Sequence, residues 1–310
     1  MLRTGVVGVG HIGINHARLY AEIPACRLAA IHDVSLETAV AASRKYGGIA
    51  TETLEAFADL IDAATISTPT IHHYAVGKFL LERGKHLLIE KPIAENPAEA
   101  RELAEIAHAN HCVLQVGHVE RFNPALRAIE GRLPRPRFIE VTRISPYPNR
   151  STDIGVVLDL MIHDLEIVLH LVRSPVTSID AIGIAVLSKG EDIANVRLHF
   201  ESGCVANITA SRISRKRVRE IRVFQNDAYL SLNYQKQSAR LYRLLDGKKI
   251  KHERVAVEKG EPLKLEIESF VRCASEGLTP EVSGHEATVA LELALEITRR
   301  IEEGVNRGGA

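Results

Sequence analysis

The chain has 310 residues, 45% of them apolar and 25% charged, enough for one large or two moderate hydrophobic cores. Lys plus Arg and Asp plus Glu each number 39, so no net field draws in nucleic acid or an acidic membrane. The cysteines Cys26, Cys112, Cys204 and Cys273 lie far apart with no CxxC spacing; this argues against a metal centre and a disulfide framework and suits a reducing compartment. No apolar run approaches the roughly 18 residues a membrane span needs. Residues 2–7 read directly as a strand, leaving no room for a signal peptide. A soluble cytoplasmic enzyme is expected.

Residues 1–118 alternate short apolar strands, at 4–9, 27–32, 64–67, 86–89 and 112–116, with amphipathic helices at 13–21, 36–46, 54–59, 73–83 and 97–110. Strands separated by helices predict right-handed βαβ units and a parallel sheet, a Rossmann-type domain over 1–118. Gly8, Gly10, His11, Ile12 and Gly13 form a Gly-x-Gly-x-x-Gly turn between the first strand and the first helix. Its glycines permit a tight turn, close approach of the backbone to a pyrophosphate, and close packing of helix on strand. Asp33 follows the second strand, where a carboxylate accepts hydrogen bonds from the adenosine ribose and repels a 2′-phosphate. That favours NAD over NADP. Ser67, Thr68 and Pro69 end another strand at the same sheet edge, within reach of a cofactor, and His73 opens the next helix.

Glu90-Lys91-Pro92 follows the apolar run Leu87-Leu88-Ile89. The carboxyl end of a parallel strand is where such a sheet presents groups to a ligand. A polar segment then crosses to the second domain, and its His118, Arg121 and Asn123 are candidates for substrate contact or for fastening the crossing.

The second domain, 119–310, has another rhythm. A strand is expected at 138–144 and a largely apolar helix at 156–171. On that helix Asp159 and His163 are four residues apart, so an α-helix stacks them on one face. A carboxylate beside imidazole holds the ring and stabilises its protonated form. Strand-like runs follow at 178–187, 194–200, 205–211, 218–225, 228–234 and 239–245, with turn signals at Glu201-Ser202-Gly203 and Asp246-Gly247. They predict a broad, mostly antiparallel sheet with one face covered by the helix and the other left for a partner subunit. The stretch from Arg212 through Lys216 to Arg219 is the densest basic cluster. It reads either as a diphosphate site or as a solvated strand edge. Two helices close the chain, at 262–275 and 286–303, the second behind the capping-box spacing Ser283 to Glu286.

The parts assemble into a reaction. A hydride leaves a carbon bearing a hydroxyl for a nicotinamide, and the hydroxyl proton leaves to a base. His163 is a candidate base and Lys91 a candidate partner for the developing alkoxide; the two titrate as a coupled set. Asp159 and His163 offer too few ligands for a metal.

Together the Gly-x-Gly-x-x-Gly turn, Thr68-Pro69 with His73, Glu90-Lys91-Pro92 and Asp159-Leu160-Met161-Ile162-His163 resemble the Gfo/Idh/MocA oxidoreductase family. The resemblance implies a Rossmann domain joined to an open, mostly antiparallel sheet domain, and a homodimer or homotetramer built through that sheet. It implies Lys91, Asp159 and His163 around the reacting hydroxyl, with His163 the usual acid and base, and Glu90 near the nicotinamide ribose. Gln115 through Pro124 and Ala210 through Ser214, with Val218-Arg219, resemble the bacterial UDP-N-acetylglucosamine 3-dehydrogenase subgroup. That finer resemblance implies NAD-dependent oxidation of C3 of a nucleotide sugar, with the ketone passing to an aminotransferase on the way to lipid A. Two alternatives keep the fold: a dehydrogenase of a free sugar or inositol, and a glycoside hydrolase that retains NAD. A non-catalytic NAD-binding regulator is the reading from another class.

Overall fold

The computed structural model describes residues 1–147, 154–245 and 249–308. The chain divides into two compact units, Met1–Val119 with Glu261–Val289, and Glu120–Gly260 with Ala290 onward.

The first unit runs β1 (Leu2–Val7), α1 (Gly13–Glu22), β2 (Cys26–His32), α2 (Leu36–Tyr46), β3 (Ile49–Thr51), α3 (Leu54–Leu60), β4 (Ala63–Ile66), α4 (His73–Leu81), β5 (His86–Glu90), α5 (Pro97–Ala109) and β6 (Leu114–Gly117). The strands pair in parallel in the order β3-β2-β1-β4-β5-β6. Every residue of β4 and β6 is buried, as a sheet covered on both faces requires. Helix starts are set by local chemistry. The side chains of Ser35, Thr53 and Asn96 accept the backbone N–H of Thr38, Ala56 and Glu99, capping α2, α3 and α5. Strand β3 was not foreseen; three residues are too few to carry a periodic signal. The strand order reverses between β1 and β4, which opens a crevice at their carboxyl ends.

The second unit contains the short helix α6 (Pro124–Arg127), β7 (Phe138–Ile144), a π turn over Val157–Met161, α7 (Ile162–Val172), β8 (Val176–Ile184), β9 (Ile193–Phe200), β10 (Val205–Ser211), β11 (Val218–Gln225), β12 (Ala228–Asn233), β13 (Ser238–Leu245) and β14 (Lys249–Val255). The sheet order is β14-β13-β12-β11-β7-β10-β9-β8. All neighbours are antiparallel except β7 and β10. Between those two the chain makes a helix and a hairpin before it returns, so they come out in the same direction. Residues of β7 alternate, with Ile139, Val141 and Arg143 buried. On the opposite face Phe138, Phe224, Tyr229, Tyr242 and His252 form a ladder across five strands; the Tyr229 and Tyr242 rings stack at 4.3 Å. Strand β14 escaped the sequence reading because Lys249–Val255 is mostly charged and exposed, as edge strands often are. The turn signal at Asp246-Gly247 lies outside the described residues.

Of the closing helices, α8 (Pro262–Glu276) returns to the first unit and α9 (Gly284–Gly308) ends the chain. Ile267, Phe270, Val271 and Ala274 of α8 join the buried cluster of Ala17, Tyr20, Ile31 and Leu88. The Val116 N–H donates to the Val282 carbonyl at 3.0 Å. Apolar burial and this bridge place the segment with the parallel sheet although it follows the second sheet in sequence. The capping box is formed: Glu286 N–H donates to Ser283 Oγ at 3.3 Å, and Ser283 N–H to Glu286 Oε2 at 2.9 Å.

Candidate active site

The nucleotide crevice lies wholly in the first unit. Gly8 has φ +84°, and its N–H donates to the His32 carbonyl at 2.8 Å. A Cβ on Gly13 would stand 1.9 Å from the Gly8 carbonyl oxygen, whereas one on Gly10 would meet no protein atom within 4 Å. Gly8 and Gly13 are therefore demanded by the chain's own packing. Gly10 is not, and its open side leaves room for a ligand's close approach. Helix α1 begins at Gly13 with no side-chain cap at Ile12; the Ile14 and Asn15 N–H groups donate back to the Gly10 and Ile12 carbonyls at 3.1 and 2.9 Å, so the helix offers an anion its positive dipole end and the glycine turn before it. His11 and Ile12 beside it are exposed.

Asp33 is half-exposed at the end of β2. Its Oδ2 accepts the Val9 N–H at 2.9 Å and its Oδ1 the Ser35 N–H at 3.0 Å. Each oxygen keeps a lone pair for a ribose hydroxyl. Ser67 Oγ donates to the Gly8 carbonyl at 2.6 Å, so this hydroxyl ties β4 to the glycine turn. Thr68 Oγ1 is buried with no hydrogen-bond partner in the protein. A buried polar atom of this kind calls for a partner, and it lies beside the Gly8 turn. Open space at Gly10, the uncapped α1 and the orphaned Thr68 hydroxyl all fit a dinucleotide.

His73 holds two strand ends together. Its Nδ1 lies 2.8 Å from the Pro92 carbonyl oxygen and its Nε2 2.9 Å from that of Thr68. Burial pushes its pKa below the ordinary histidine value, although both carbonyls favour the charged ring. Both ring nitrogens are thus taken up by the backbone around Pro69 and Lys91. Lys91 is half-buried directly after β5. Glu90 Oε1 lies 3.0 Å from Nε2 of the fully buried His16.

The second unit carries the other candidates. The expected single helix begins instead with the π turn, in which the Ile162 N–H donates to the Val157 carbonyl. The turn is wider than an α turn, so the α-helical stacking argument for Asp159 and His163 does not apply unchanged. Both residues are half-exposed in a helix otherwise largely buried. Glu191 fixes the start of that helix: its Oε1 accepts the Val157 N–H at 3.0 Å and its backbone carbonyl the Val156 N–H at 2.8 Å. Gly155 makes room for it, since a Cβ there would lie 2.1 Å from the Glu191 carboxylate. The helix is also gripped from the sheet. Arg143 Nε and Nη2 donate to Asp164 at 2.6 and 2.9 Å, and Nη1 donates to Glu120 at 3.2 Å. Burial opposes the Arg143 charge, but Asp164 and Glu120 outweigh it and raise its pKa.

The residues named for substrate contact separate sharply. Arg121 is buried, its Nε 3.6 Å from Glu166. Asn123 is buried, its amide donating to Glu120 and to the Tyr234 carbonyl, each at 3.2 Å. His118 is buried as well. For the crossing segment the fastening alternative is the one these positions support. Arg212 does not lie on a solvated strand edge. It is 0% exposed, with Nε on Asp192 at 2.8 Å and Nη1 on the Ile154 carbonyl at 2.8 Å. Asp192 also accepts the backbone N–H of Val186 and Ser188 at 2.8 and 3.0 Å. These donors and Ser188 Oγ outweigh burial and hold its carboxyl well below the ordinary value. Lys216 stays exposed. Sequence reasoning missed His16, Arg143, Glu191 and Glu266. Arg143 had a signal, a charge in the buried phase of an alternating strand, and Glu266 had one, a charge on the apolar stripe of α8. Among the described residues no group of three or more His, Cys, Asp or Glu could hold a metal ion. No helix there is long and apolar enough to cross a membrane.

A crevice at the reversal of a parallel sheet, with a glycine turn and a carboxylate after β2, defines a dinucleotide-binding oxidoreductase. Comparison with known proteins carries this further. Residues 2–118 match the oxidoreductase family with an NAD-binding Rossmann fold, and residues 125–231 match the Gfo/Idh/MocA C-terminal domain. The chain belongs to the Gfo/Idh/MocA oxidoreductase family, and it is an enzyme acting on CH–OH groups. It is 33% identical over 312 residues to UDP-N-acetylglucosamine 3-dehydrogenase of Acidithiobacillus ferrooxidans, covering 99% of each chain. A solved structure of that enzyme superposes with TM-score 0.93 over 97% of this chain and 98% of the other. The NAD-dependent scyllo-inositol 2-dehydrogenase of Bacillus subtilis is 26% identical over 339 residues, with 98% of this chain and 95% of that protein covered. A levoglucosan dehydrogenase solved with NADH shares the fold, with TM-score 0.87 at 19% identity and 97% of each chain covered.

Proposed function

We propose that this enzyme oxidises the C3 hydroxyl of a UDP-N-acetylglucosamine-type nucleotide sugar to the 3-keto sugar, with NAD as acceptor. The likeness to UDP-N-acetylglucosamine 3-dehydrogenase along essentially the whole chain carries this reading. NAD, when bound, takes the hydride. The Gly8–Gly13 turn and Thr68 hold its diphosphate and ribose side, and Asp33 selects against a 2′-phosphate. By the family resemblance we assign Lys91, Asp159 and His163 to the reacting hydroxyl. Lys91 stabilises the developing alkoxide, and His163, oriented by Asp159, receives the proton. Of the basic cluster, the exposed Lys216 is our candidate contact for the substrate diphosphate. The enzyme works in the cytoplasm as a homodimer or homotetramer through the open sheet face. It supplies a ketone for transamination, within lipid A or another amino-sugar pathway.

The test is direct. Purified protein with NAD and UDP-N-acetylglucosamine should form NADH, more completely when an aminotransferase removes the ketone. Formation of NADH with free N-acetylglucosamine or an inositol, and none with the nucleotide sugar, would replace this reading with the second one that the inositol dehydrogenase likeness supports.

A further inference from the structure

Behind the end of β5 lies a group of buried polar atoms that the proposed reaction does not use. Glu266, in the apolar face of α8, is 0% exposed, and neither carboxylate oxygen has a hydrogen-bond partner in the protein. One turn along, Ser269 Oγ is buried and likewise unpartnered. From β6, Gln115 Nε2 donates to the Glu266 backbone carbonyl at 3.2 Å, while its Oε1 has no partner. From α1, His16 uses Nε2 on Glu90 and leaves Nδ1 without a partner. Glu90 is itself confined, since a Cβ on Gly117 would lie 2.9 Å from its Oε2. Such a concentration of unsatisfied atoms is rare in a native interior.

A buried carboxylate with no donor is among the most costly groups a core can hold, whereas the neutral acid is both donor and acceptor. We propose that Glu266 stands as an uncharged acid and is a positioning residue for Glu90: anchored through Gln115 to β6, the strand beside β5, the neutral acid keeps a second negative charge away from the Glu90–His16 contact, immediately before Lys91. Ionising Glu266 places a second negative charge beside Glu90, loosens the Glu90–His16 contact and displaces the turn that bears Lys91. Burial, and then the Glu90 charge, raise the Glu266 pKa well above the ordinary glutamate value. The other titratable groups packed around α8 include His16 and Tyr20 of α1, Cys26 of β2 and Cys273 of α8 itself, and the one guanidinium that α1 sets against its start, Arg18, is paired with Glu261 at 2.5 Å. Burial raises the pKa of Tyr20, Cys26 and Cys273, so none of them supplies a countercharge.

The experiment compares the wild type with Glu266→Gln, which mimics the neutral acid, and Glu266→Leu, which removes it. In infrared difference spectra of the cofactor-free protein at mildly alkaline pH, a protonated-carboxyl stretch should be present in the wild type and absent in Glu266→Gln. Its absence from the wild type overturns the proposal. The raised pKa contributes stability that is fully present below the unfolded glutamate value and is lost as pH rises toward the folded value. The melting temperature of the wild type should therefore fall relative to that of Glu266→Gln as pH rises, and parallel curves count against the proposal. Both arms are read without substrate, so they stand whatever the substrate is. The third arm rests on the proposed reaction. Glu266→Gln should turn over like the wild type at neutral pH and hold its rate further into alkali. Glu266→Leu should lose about tenfold in kcat with little change in the KM for NAD. If Glu266→Gln is as impaired at neutral pH as Glu266→Leu, the acid is not neutral and the inference fails.

Discussion

Arg143 grips Asp164 through two hydrogen bonds, at 2.6 and 2.9 Å, one residue beyond His163. The same guanidinium reaches Glu120. One strand residue therefore fixes both the start of the crossing segment and the helix that bears the proposed base. Removing Arg143 takes the guanidinium from the buried Asp164 carboxylate, while Glu120 keeps Arg219 at 3.1 Å and Asn123 at 3.2 Å. Arg143→Ala should cost about 3–5 kcal/mol in stability, measured by denaturant unfolding. Arg143→Lys should recover only part of it, because an ammonium cannot reproduce the fork.

The glycine turn separates packing from binding. Gly13→Ala drives a methyl group into the Gly8 carbonyl, so it should lower the melting temperature and cofactor affinity together. Gly10→Ala meets no protein atom. It should leave the melting temperature of the cofactor-free protein within about 0.5 kcal/mol equivalent of wild type and still weaken NAD binding, read by titration calorimetry.

Asp33→Ala should narrow the preference for NAD over NADP, seen in the ratio of kcat/KM for the two cofactors. Asp33→Asn removes the charge and keeps one acceptor, for the Val9 N–H, at the expense of the bond from the Ser35 N–H. It should move the ratio with less loss of stability. An unchanged ratio in both variants would remove Asp33 from its assigned role.

Lys91→Ala should lower kcat by about 10²-fold or more through lost transition-state contacts, with NAD affinity nearly unchanged. A parallel collapse of cofactor binding, measured by fluorescence titration of NADH, would make Lys91 a cofactor residue instead.

Much of the architecture was legible because it rests on local chemistry. The glycine turn, the capping box from Ser283 to Glu286 and the strand alternation of Phe138–Ile144 each leave a short-range signature. The parallel pairing of β7 with β10 leaves none, since it joins segments some sixty residues apart by way of the chain's return path. The candidate site was legible where a motif concentrates its groups, as at Glu90-Lys91-Pro92. It was opaque where charges serve each other. Arg212 lies in a basic run that reads as a surface, yet its partner Asp192 comes from a turn twenty residues earlier. The π turn is hidden for a related reason. Val157–Met161 has no composition that sets it apart from the α-helix it continues. Its helix start is set by Glu191, a residue from the turn before β9.

The chain has no tryptophan and seven tyrosines. Tyr229 and Tyr242 lie in near-parallel stacking, 5° apart, on the open side of the second sheet. Two phenol chromophores so arranged couple their electronic transitions. The near-ultraviolet circular dichroism of this protein therefore carries a built-in optical marker of one sheet. A partner that settles on that surface and shifts either ring should change this signal with no label attached.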